Sequence, residues 1–164
     1  MFKRVTFASA LLASMGDTLP ASAFEVDGFK SGMTESEALE RPGAAEFARG
    51  KSDPENRAEQ YVAQSPLRVL TFCDKELIAY QRDFSSDWHS FVQALEKASR
   101  DFGAGSNSER IRDVAGLGTS SVLSMVWERP GGDLYEIARG QVGDNAAQNY
   151  EYYFAPNKCF KRGT

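Results

Sequence analysis

Residues suited to metal and redox chemistry are scarce in this sequence, which has two cysteines and one histidine among 164 residues. No Cys-x-x-Cys pair occurs, and two cysteines with a single histidine are too few ligands for a closed zinc site. The histidine, His89, lies near Asp87, but no Gly-x-Ser-x-Gly motif accompanies them. The sequence therefore predicts no metal, no cofactor and no recognisable catalytic residue.

Basic clusters and phosphate-binding loops are also missing. The chain has 23 acidic and 19 basic residues, a net charge of −4, and its densest basic stretch, 158–162, is interrupted by Cys159 and Phe160. Because nucleic-acid binding depends on clustered Lys and Arg, we expect no nucleic-acid partner. Gly103-Ala104-Gly105 follows a predicted helix, whereas a dinucleotide-binding loop precedes one, and Gly116-Leu117-Gly118 lacks the Lys-Ser/Thr of a phosphate loop. Both are predicted to be flexible loops.

Long apolar runs are absent, and the longest apolar stretch lies near the N-terminus. Two basic residues precede the run Val5–Met15, and the small-residue triplet Ala21–Ala23 follows it. A run of about 11 residues is too short for a bilayer, which needs about 20, and the pattern is typical of a secretory signal peptide. We predict a signal peptide over 1–23 and a single periplasmic or secreted domain over 24–164. We expect no membrane span and, without a cysteine at the cleavage point, no lipid anchor.

The predicted export favours a structural disulfide between the two cysteines. Cys73 and Cys159 permit one intramolecular pairing, and a small even number of cysteines in an exported chain favours a disulfide. Such a bond would close a loop of 86 residues. We predict a Cys73–Cys159 disulfide, with a catalytic thiol and a metal pair as the alternatives.

Capping signals predict two helices in the first part of the chain. In Thr34-Glu35-Ser36-Glu37, the Thr34 hydroxyl can accept a hydrogen bond from the Glu37 amide, and the Glu37 carboxylate can accept one from the Thr34 amide. This capping box predicts a short helix over Glu35–Glu40. Pro54 fits the first position of a helix, which predicts a second one over Glu55–Gln64.

The clearest predicted element is an amphipathic helix from Asp87 to Phe102, capped by Ser85 or Ser86 and ended by Gly103. Its apolar residues recur at helical spacing and are Trp88, Phe91, Val92, Leu95, Ala98 and Phe102. Because an aromatic stripe of this kind is usually part of a core, we expect the helix to cover one face of a sheet.

Alternating apolar residues and turn signals predict an antiparallel sheet. One hairpin pairs Leu67–Cys73 with Leu77–Phe84 across a turn at Asp74-Lys75, and a polar connection follows over Gly103–Ser120. The last three predicted strands are Val122–Glu128, Leu134–Val142 and Asn149–Ala155. The predicted fold class is therefore α+β, an antiparallel sheet of about five strands covered by one long helix, in the order α-ββ-α-βββ. Each half consists of a helix followed by a hairpin, a weak internal repeat.

The motif Gly32-Met33-Thr34-x-x-Glu37, near the start of the predicted mature chain and followed by strand hairpins, resembles a set of small bacterial envelope proteins. The set includes the small lipoprotein of the outer-membrane β-barrel assembly machinery and the β-lactamase-inhibitor-protein-like modules. The resemblance implies helices packed on an antiparallel sheet. It also implies a function in binding other proteins.

Aromatic residues on the last predicted strands form the candidate binding surface, which comprises Trp127, Tyr135, Tyr150 and Tyr153. One interpretation is that one set of these residues packs under the Asp87–Phe102 helix. The other is that Tyr153, on the opposite parity to Tyr152, joins an exposed patch. Tyr and Trp are enriched at binding hot spots. We therefore predict an exported, non-catalytic binding or inhibitor-like module that contacts another envelope protein or a peptide.

Paired carboxylates support an alternative function. Asp74 with Glu76, or Asp83 with Asp87, could serve a hydrolase that cleaves cell-wall glycan or peptide. A cleft that holds two close acids would favour this alternative, and a flat or convex aromatic face would favour the binding module.

Overall fold

A computed structural model describes residues 24–50, 58–114 and 118–159 of the protein. These residues are mainly β-structure. They include two α-helices, α1 (Glu35–Leu39) and α2 (Trp88–Phe102), and a single 3₁₀ turn at Ala44–Glu46. The strands are β1 (Glu25–Val26), β2 (Phe29–Lys30), β3 (Ala48–Arg49), β4 (Ala58–Gln64), β5 (Leu67–Cys73), β6 (Glu76–Asp83), β7 (Ser106–Val114), β8 (Gly118–Glu128), β9 (Leu134–Val142) and β10 (Gln148–Phe154). The predicted signal peptide lies outside the described residues. None of the described helices is long and apolar enough to span a membrane.

Eight strands form one antiparallel sheet in the order β3-β4-β5-β6-β10-β9-β8-β7, and β1 and β2 form a separate hairpin. Strands β3 to β6 are a meander, as are β7 to β10. The two meanders join where β6 pairs with β10, with Tyr80 opposite Tyr153. Since α1 precedes the first meander and α2 precedes the second, the sheet consists of two halves with the same order of elements, joined through their last strands.

The predicted fold class, a sheet of about five strands covered by one long helix in the order α-ββ-α-βββ, is wrong. The main sheet has eight strands, and α2 packs mainly on β9. The predicted helix over Glu55–Gln64 is strand β4 from Ala58 onward, and the predicted loop over Gly103–Ser120 contains β7 and the start of β8. Residues 55–57 of that helix lie outside the described residues. In both places long-range strand pairing overrides weak local preferences.

The local signals are largely confirmed. The capping box of α1 is present, with the Glu37 amide donating to the Thr34 hydroxyl and the Thr34 amide donating to the Glu37 carboxylate. Asp74 and Lys75 form the tight turn between β5 and β6, both with positive φ, as a two-residue hairpin turn requires. The N-cap of α2 is Asp87, not Ser85 or Ser86, because the Asp87 carboxylate accepts from the Ser90 amide at 2.8 Å.

The Cys73–Cys159 disulfide is confirmed, with the two Cα atoms 5.8 Å apart. It ties the segment after β10 to the end of β5. The Ala155 amide also donates to the Ile78 carbonyl, and Lys158 forms an ion pair with Asp74. The C-terminal segment is therefore fastened across β6, which links the second half of the sheet to the first.

One face of the sheet, here named the covered face, carries two hydrophobic clusters. In the first, Phe24, Phe29 and Ala38 of the N-terminal segment pack on sheet residues such as Leu70 and Tyr80. In the second, the helix residues Phe91 and Ala98 pack on Trp127, Tyr135 and Ile137. The two end residues of the apolar stripe predicted for this helix are not buried with Phe91 and Ala98: the Trp88 side chain is 56% exposed and that of Phe102 is 42% exposed. Throughout the described chain, the hydrophobic packing of both helices and of the β1–β2 hairpin is with this face.

Candidate functional site

The opposite side of the sheet, here named the open face, carries a stripe of three aromatic residues: Tyr150, Tyr152 and Phe154. They share one face because alternate side chains of a strand point the same way. The ring centroids of Tyr152 and Phe154 are 6.0 Å apart. Since β10 is flanked by β6 and β9, the stripe lies where the two halves of the sheet join.

Short side chains lie beside the aromatic stripe. Ala138 is opposite Tyr150 and Ala79 is opposite Phe154, and both alanines are fully buried. The rings therefore lie low over small neighbours and are themselves half-buried. Burial raises the pKa of Tyr152 to about 12 and also raises that of Tyr150, so both hydroxyls are neutral near pH 7 and can donate or accept hydrogen bonds.

A groove of about 350 Å³ crosses the open face beside Tyr150. Its lining comes from both halves of the sheet, with Leu67 on β5, Val122 on β8, and residues of β6, β9, β10 and the β9–β10 turn. Among the described residues that line it, Asp83 alone is charged. The groove is thus a mainly apolar channel with one carboxylate in its lining, and neither half of the sheet forms it alone. A smaller cavity of about 200 Å³ adjoins it at Val122 and Tyr150 and is lined also by Arg110, which is ion-paired with Glu136.

Gly140 leaves the groove open near the C-terminal end of β9. A Cβ atom placed there would lie 3.5 Å from Val122 Cγ2 and 3.6 Å from Tyr150 Cε1, both ordinary van der Waals distances. The φ angle of Gly140 is not in the left-handed region, so its backbone does not require glycine. A glycine in the interior of a strand is costly unless something must approach closely. At Gly140 the space over the backbone belongs to the groove.

Asp83, the last residue of β6, is half-buried and lines the groove opposite Tyr150. Burial raises the pKa of its carboxyl, and a hydrogen bond from the Gln81 side chain acts in the opposite direction. Within the described chain, no Lys or Arg forms an ion pair with Asp83, although the other half-buried acidic side chains nearby are ion-paired. One of these, Glu136, meets Arg110 at 2.6 Å across β8.

A second cavity, of about 590 Å³, lies on the other side of Asp83 and is lined mostly by charged residues. Its main feature is the Arg82 guanidinium, which donates to Asp27 at 2.8 Å and to Glu151 at 2.7 Å. The Tyr135 hydroxyl also donates to Glu151, at 2.6 Å, and burial together with this hydrogen bond raises the pKa of Tyr135. In the same cavity Arg68 is paired with Glu46. Arginine holds the Asp27, Glu46 and Glu151 carboxylates, so among the described lining residues Asp83 is the one acid without an arginine partner. A paired-carboxylate hydrolase needs two such acids.

One acid of each carboxylate pair named from the sequence is engaged by another group. Asp87 caps α2, and hydrogen bonds from Ser85 and Ser90 lower the pKa of its carboxyl. Asp74 is ion-paired with Lys158. Asp83 lines both cavities, but its named partner Asp87 is engaged as the helix cap. This arrangement favours binding over acid–base catalysis by the named pairs.

Three of the four predicted surface residues lie on the covered face. Trp127 is 2% exposed, with its Nε1 donating to the Gly103 carbonyl, and Tyr135 is buried beside it. Tyr153 stacks on Tyr135 with ring centroids 4.8 Å apart. Trp127 and Tyr135 therefore pack under α2, in agreement with the first interpretation of the aromatic residues. Tyr153 is half-buried against the same cluster and does not form an exposed patch, because the cover formed by α2 and the N-terminal segment lies on its side of the sheet. Tyr150 alone is on the open face.

Sequence reasoning missed Tyr152, Phe154 and Gly140 as site residues, and it named Asp83 only as one of a possible pair of catalytic acids. The alternation of Tyr150, Tyr152 and Phe154 was visible in the sequence, but nothing local indicated which parity would be left uncovered. Comparisons of the chain with protein-family models, with curated proteins and with solved structures found no match. Its function is therefore inferred from the geometry of the open face.

Proposed function

We propose that the open face binds another exported protein and that the chain acts as a non-catalytic binding or inhibitor-like module. The observation that carries this proposal is the one-sided cover of the sheet, in which no helix of the described residues packs on the central stripe Tyr150, Tyr152 and Phe154. Aromatic side chains contribute large contact areas and are enriched at interface hot spots. These rings are half-buried before any partner arrives, so binding costs little side-chain entropy.

The size of the open face supports a protein partner. Eight strands about 4.8 Å apart span about 34 Å, which can accommodate the roughly 800 Å² per partner of a stable complex. The hydroxyls of Tyr150 and Tyr152, the Gln81 amide and the Arg110–Glu136 pair lie among the apolar groups. A mixture of rings with a few polar groups is the usual composition of such interfaces.

The compartment supports a partner outside the cytoplasm. The Cys73–Cys159 disulfide agrees with an oxidising environment, where such bonds persist. Together with the signal-peptide pattern over 1–23, it favours a periplasmic or secreted protein. The resemblance of the Gly32–Glu37 motif to envelope binding modules points to the same class of function.

Site-specific photo-crosslinking tests this proposal. Tyr152→p-benzoylphenylalanine places a photoreactive ring on the open face, and Trp88→p-benzoylphenylalanine places the same group on exposed α2 as the matched control. Irradiation of envelope extract should give a discrete covalent product from position 152 and not from position 88. Products that are identical at the two positions, or none above background at 152, would contradict the proposal.

A second pair of variants tests whether the captured protein depends on the groove. Val122 lines the groove, whereas its neighbour Leu123 points to the other side of the same strand and is 46% exposed. Val122→Glu should reduce the crosslink at position 152 by about tenfold, the effect of about 1.4 kcal/mol. Leu123→Glu should leave it unchanged. Equal loss in both variants would mean that the open face is not the interface.

A further inference from the structure

We propose that the groove beside Tyr150 receives an arginine side chain of the protein partner, with its guanidinium paired to Asp83 and stacked along the Tyr150 ring. This inference rests on the proposed function and names the chemistry of the partner at the same site. It assigns a recognition role to three residues, Asp83, Gly140 and Tyr150, that come from the two halves of the sheet.

The shape and chemistry of the groove fit a long side chain with a charged end. Leu67, Val122 and Val142 line an apolar channel, and the Asp83 carboxylate is its single described charge. Arginine and lysine side chains match this lining, because each has an apolar stem and a cationic head. A purely apolar side chain would cover the Asp83 carboxylate without supplying a counter-charge, which is costly for a charged group.

The state of Asp83 in the free protein supports a cationic partner. The carboxylate is half-buried, the Gln81 side chain is its hydrogen-bond donor, and no described Lys or Arg pairs with it. Burial raises the pKa of Asp83, which means that the charged form is disfavoured in the free fold. A guanidinium from a partner would supply the missing counter-charge. The net charge of −4 favours approach of a basic surface in the same way.

Gly140 provides the space for that side chain. Its missing Cβ would occupy the channel between Val122 and Tyr150, at 3.5 and 3.6 Å from their nearest atoms. The backbone at this position could carry alanine, so the sequence keeps glycine where the fold itself does not demand it. A methyl group at this point would narrow the channel without a backbone clash.

The Tyr150 ring favours arginine over lysine. A planar guanidinium stacks on aromatic faces and bonds a carboxylate through two N–H groups, whereas an ammonium is a strongly hydrated point charge. The protein makes the same kind of contact elsewhere. The guanidinium carbons of Arg68, Arg129 and Arg139 lie 5.1 to 5.6 Å from the centres of aromatic rings.

The test is an NMR titration of the full ¹⁵N-labelled, disulfide-bonded chain with N-acetylarginine methylamide. We expect saturable shifts of the Gly140, Gln141 and Gln148 amides below about 100 mM ligand, the range for a single side chain. N-acetylcitrulline methylamide, which has the same shape and no charge, should bind about tenfold more weakly. Nα-acetyllysine methylamide, which keeps its ε-ammonium group, should also bind more weakly than the arginine compound.

Variants locate the effect. Asp83→Asn should weaken arginine binding about tenfold, while Asp144→Asn, which removes a nearby exposed charge outside the groove, should leave it unchanged. Gly140→Ala should weaken binding with the protein still folded. Thermal unfolding of Asp83→Asn should occur at the same or a higher temperature than in the wild type, so a loss of binding is not a loss of fold.

Several outcomes would overturn the inference: no saturable shifts at these amides, equal binding of arginine and citrulline, tighter binding of lysine, or no effect of Asp83→Asn. Crosslinking at position 152 distinguishes the two proposals. If the crosslink persists while arginine binding is absent, the partner uses the open face in another way and only this inference fails. If the crosslink itself is absent, the proposed function fails.

Discussion

Removal of the disulfide should cost a large part of the stability of this protein. The bond closes a loop of 86 residues, and the chain-entropy relation gives about 4.6 kcal/mol at 25 °C for a loop of that length. Domains of this size are stable by about 5–15 kcal/mol in total. The perturbation is the double variant Cys73→Ala, Cys159→Ser, which removes the cross-link and places the apolar replacement at the buried position.

The structure indicates why the effect should arise mainly in the unfolded chain. In the folded state the C-terminal segment is also held by the Ala155–Ile78 hydrogen bond and the Lys158–Asp74 ion pair, so the strands can stay paired without the bond. In the unfolded state the cross-link alone restrains residues 73 and 159. The variant should therefore fold to the same sheet. Its free energy of unfolding should fall, because the unfolded chain without the cross-link has more conformational entropy.

Urea unfolding at equilibrium measures this difference. With an m-value of about 1.5 kcal/mol/M, a loss of 4.6 kcal/mol lowers the midpoint by about 3 M, and the m-value should rise because the open chain exposes more surface. Wild-type protein under reducing conditions is the matched control, since it keeps both sulfur atoms, and it should agree with the double variant. A loss below about 1 kcal/mol with an unchanged m-value would refute the entropic reasoning.

Three further predictions concern individual side chains. Trp127→Ala should reduce the free energy of unfolding, measured in urea titrations, by about 3–5 kcal/mol. It removes the indole from the core under α2 and leaves the Gly103 carbonyl without its donor. Leu123→Ala, at an exposed position of the same strand, should cost far less. Asp87→Ala should cost about 1 kcal/mol through loss of the α2 N-cap, whereas Asp87→Asn should retain most of the stability, as thermal unfolding would show. Burial raises the pKa of the Asp83 carboxyl above its value in the unfolded chain, so the native state binds the carboxyl proton more tightly. The free energy of unfolding therefore falls as Asp83 ionises, while the pH rises through its pKa in the folded protein. Asp83→Asn should therefore be more stable than the wild type at pH 7, by less than about 1 kcal/mol for this partly exposed group, with the difference vanishing at low pH; a less stable variant at pH 7 would contradict this account.

The features predicted correctly from the sequence depend on residues that are close together in the chain. The capping box of Thr34 and Glu37, the Asp74-Lys75 turn and the helix ending at Gly103 each involve groups within four residues of one another. The disulfide was predictable for a different reason, because two cysteines allow a single intramolecular pairing.

Other features depend on distant partners, and the tertiary structure alone decided them. Ala58–Gln64 is a strand because it pairs with β5, and Ser106–Val114 is a strand because it pairs with β8, although its polar composition resembles a loop. The choice between the two parities of β10 is the clearest case. Tyr152 and Tyr153 are both suited to core or surface, and both are half-buried. The placement of α2 and the N-terminal segment on one side of the sheet packs Tyr153 against those elements and leaves Tyr152 on the other side. The sequence determined where the chain turns and caps, since those interactions are local, but the choice of covered face follows from packing between elements far apart in the chain.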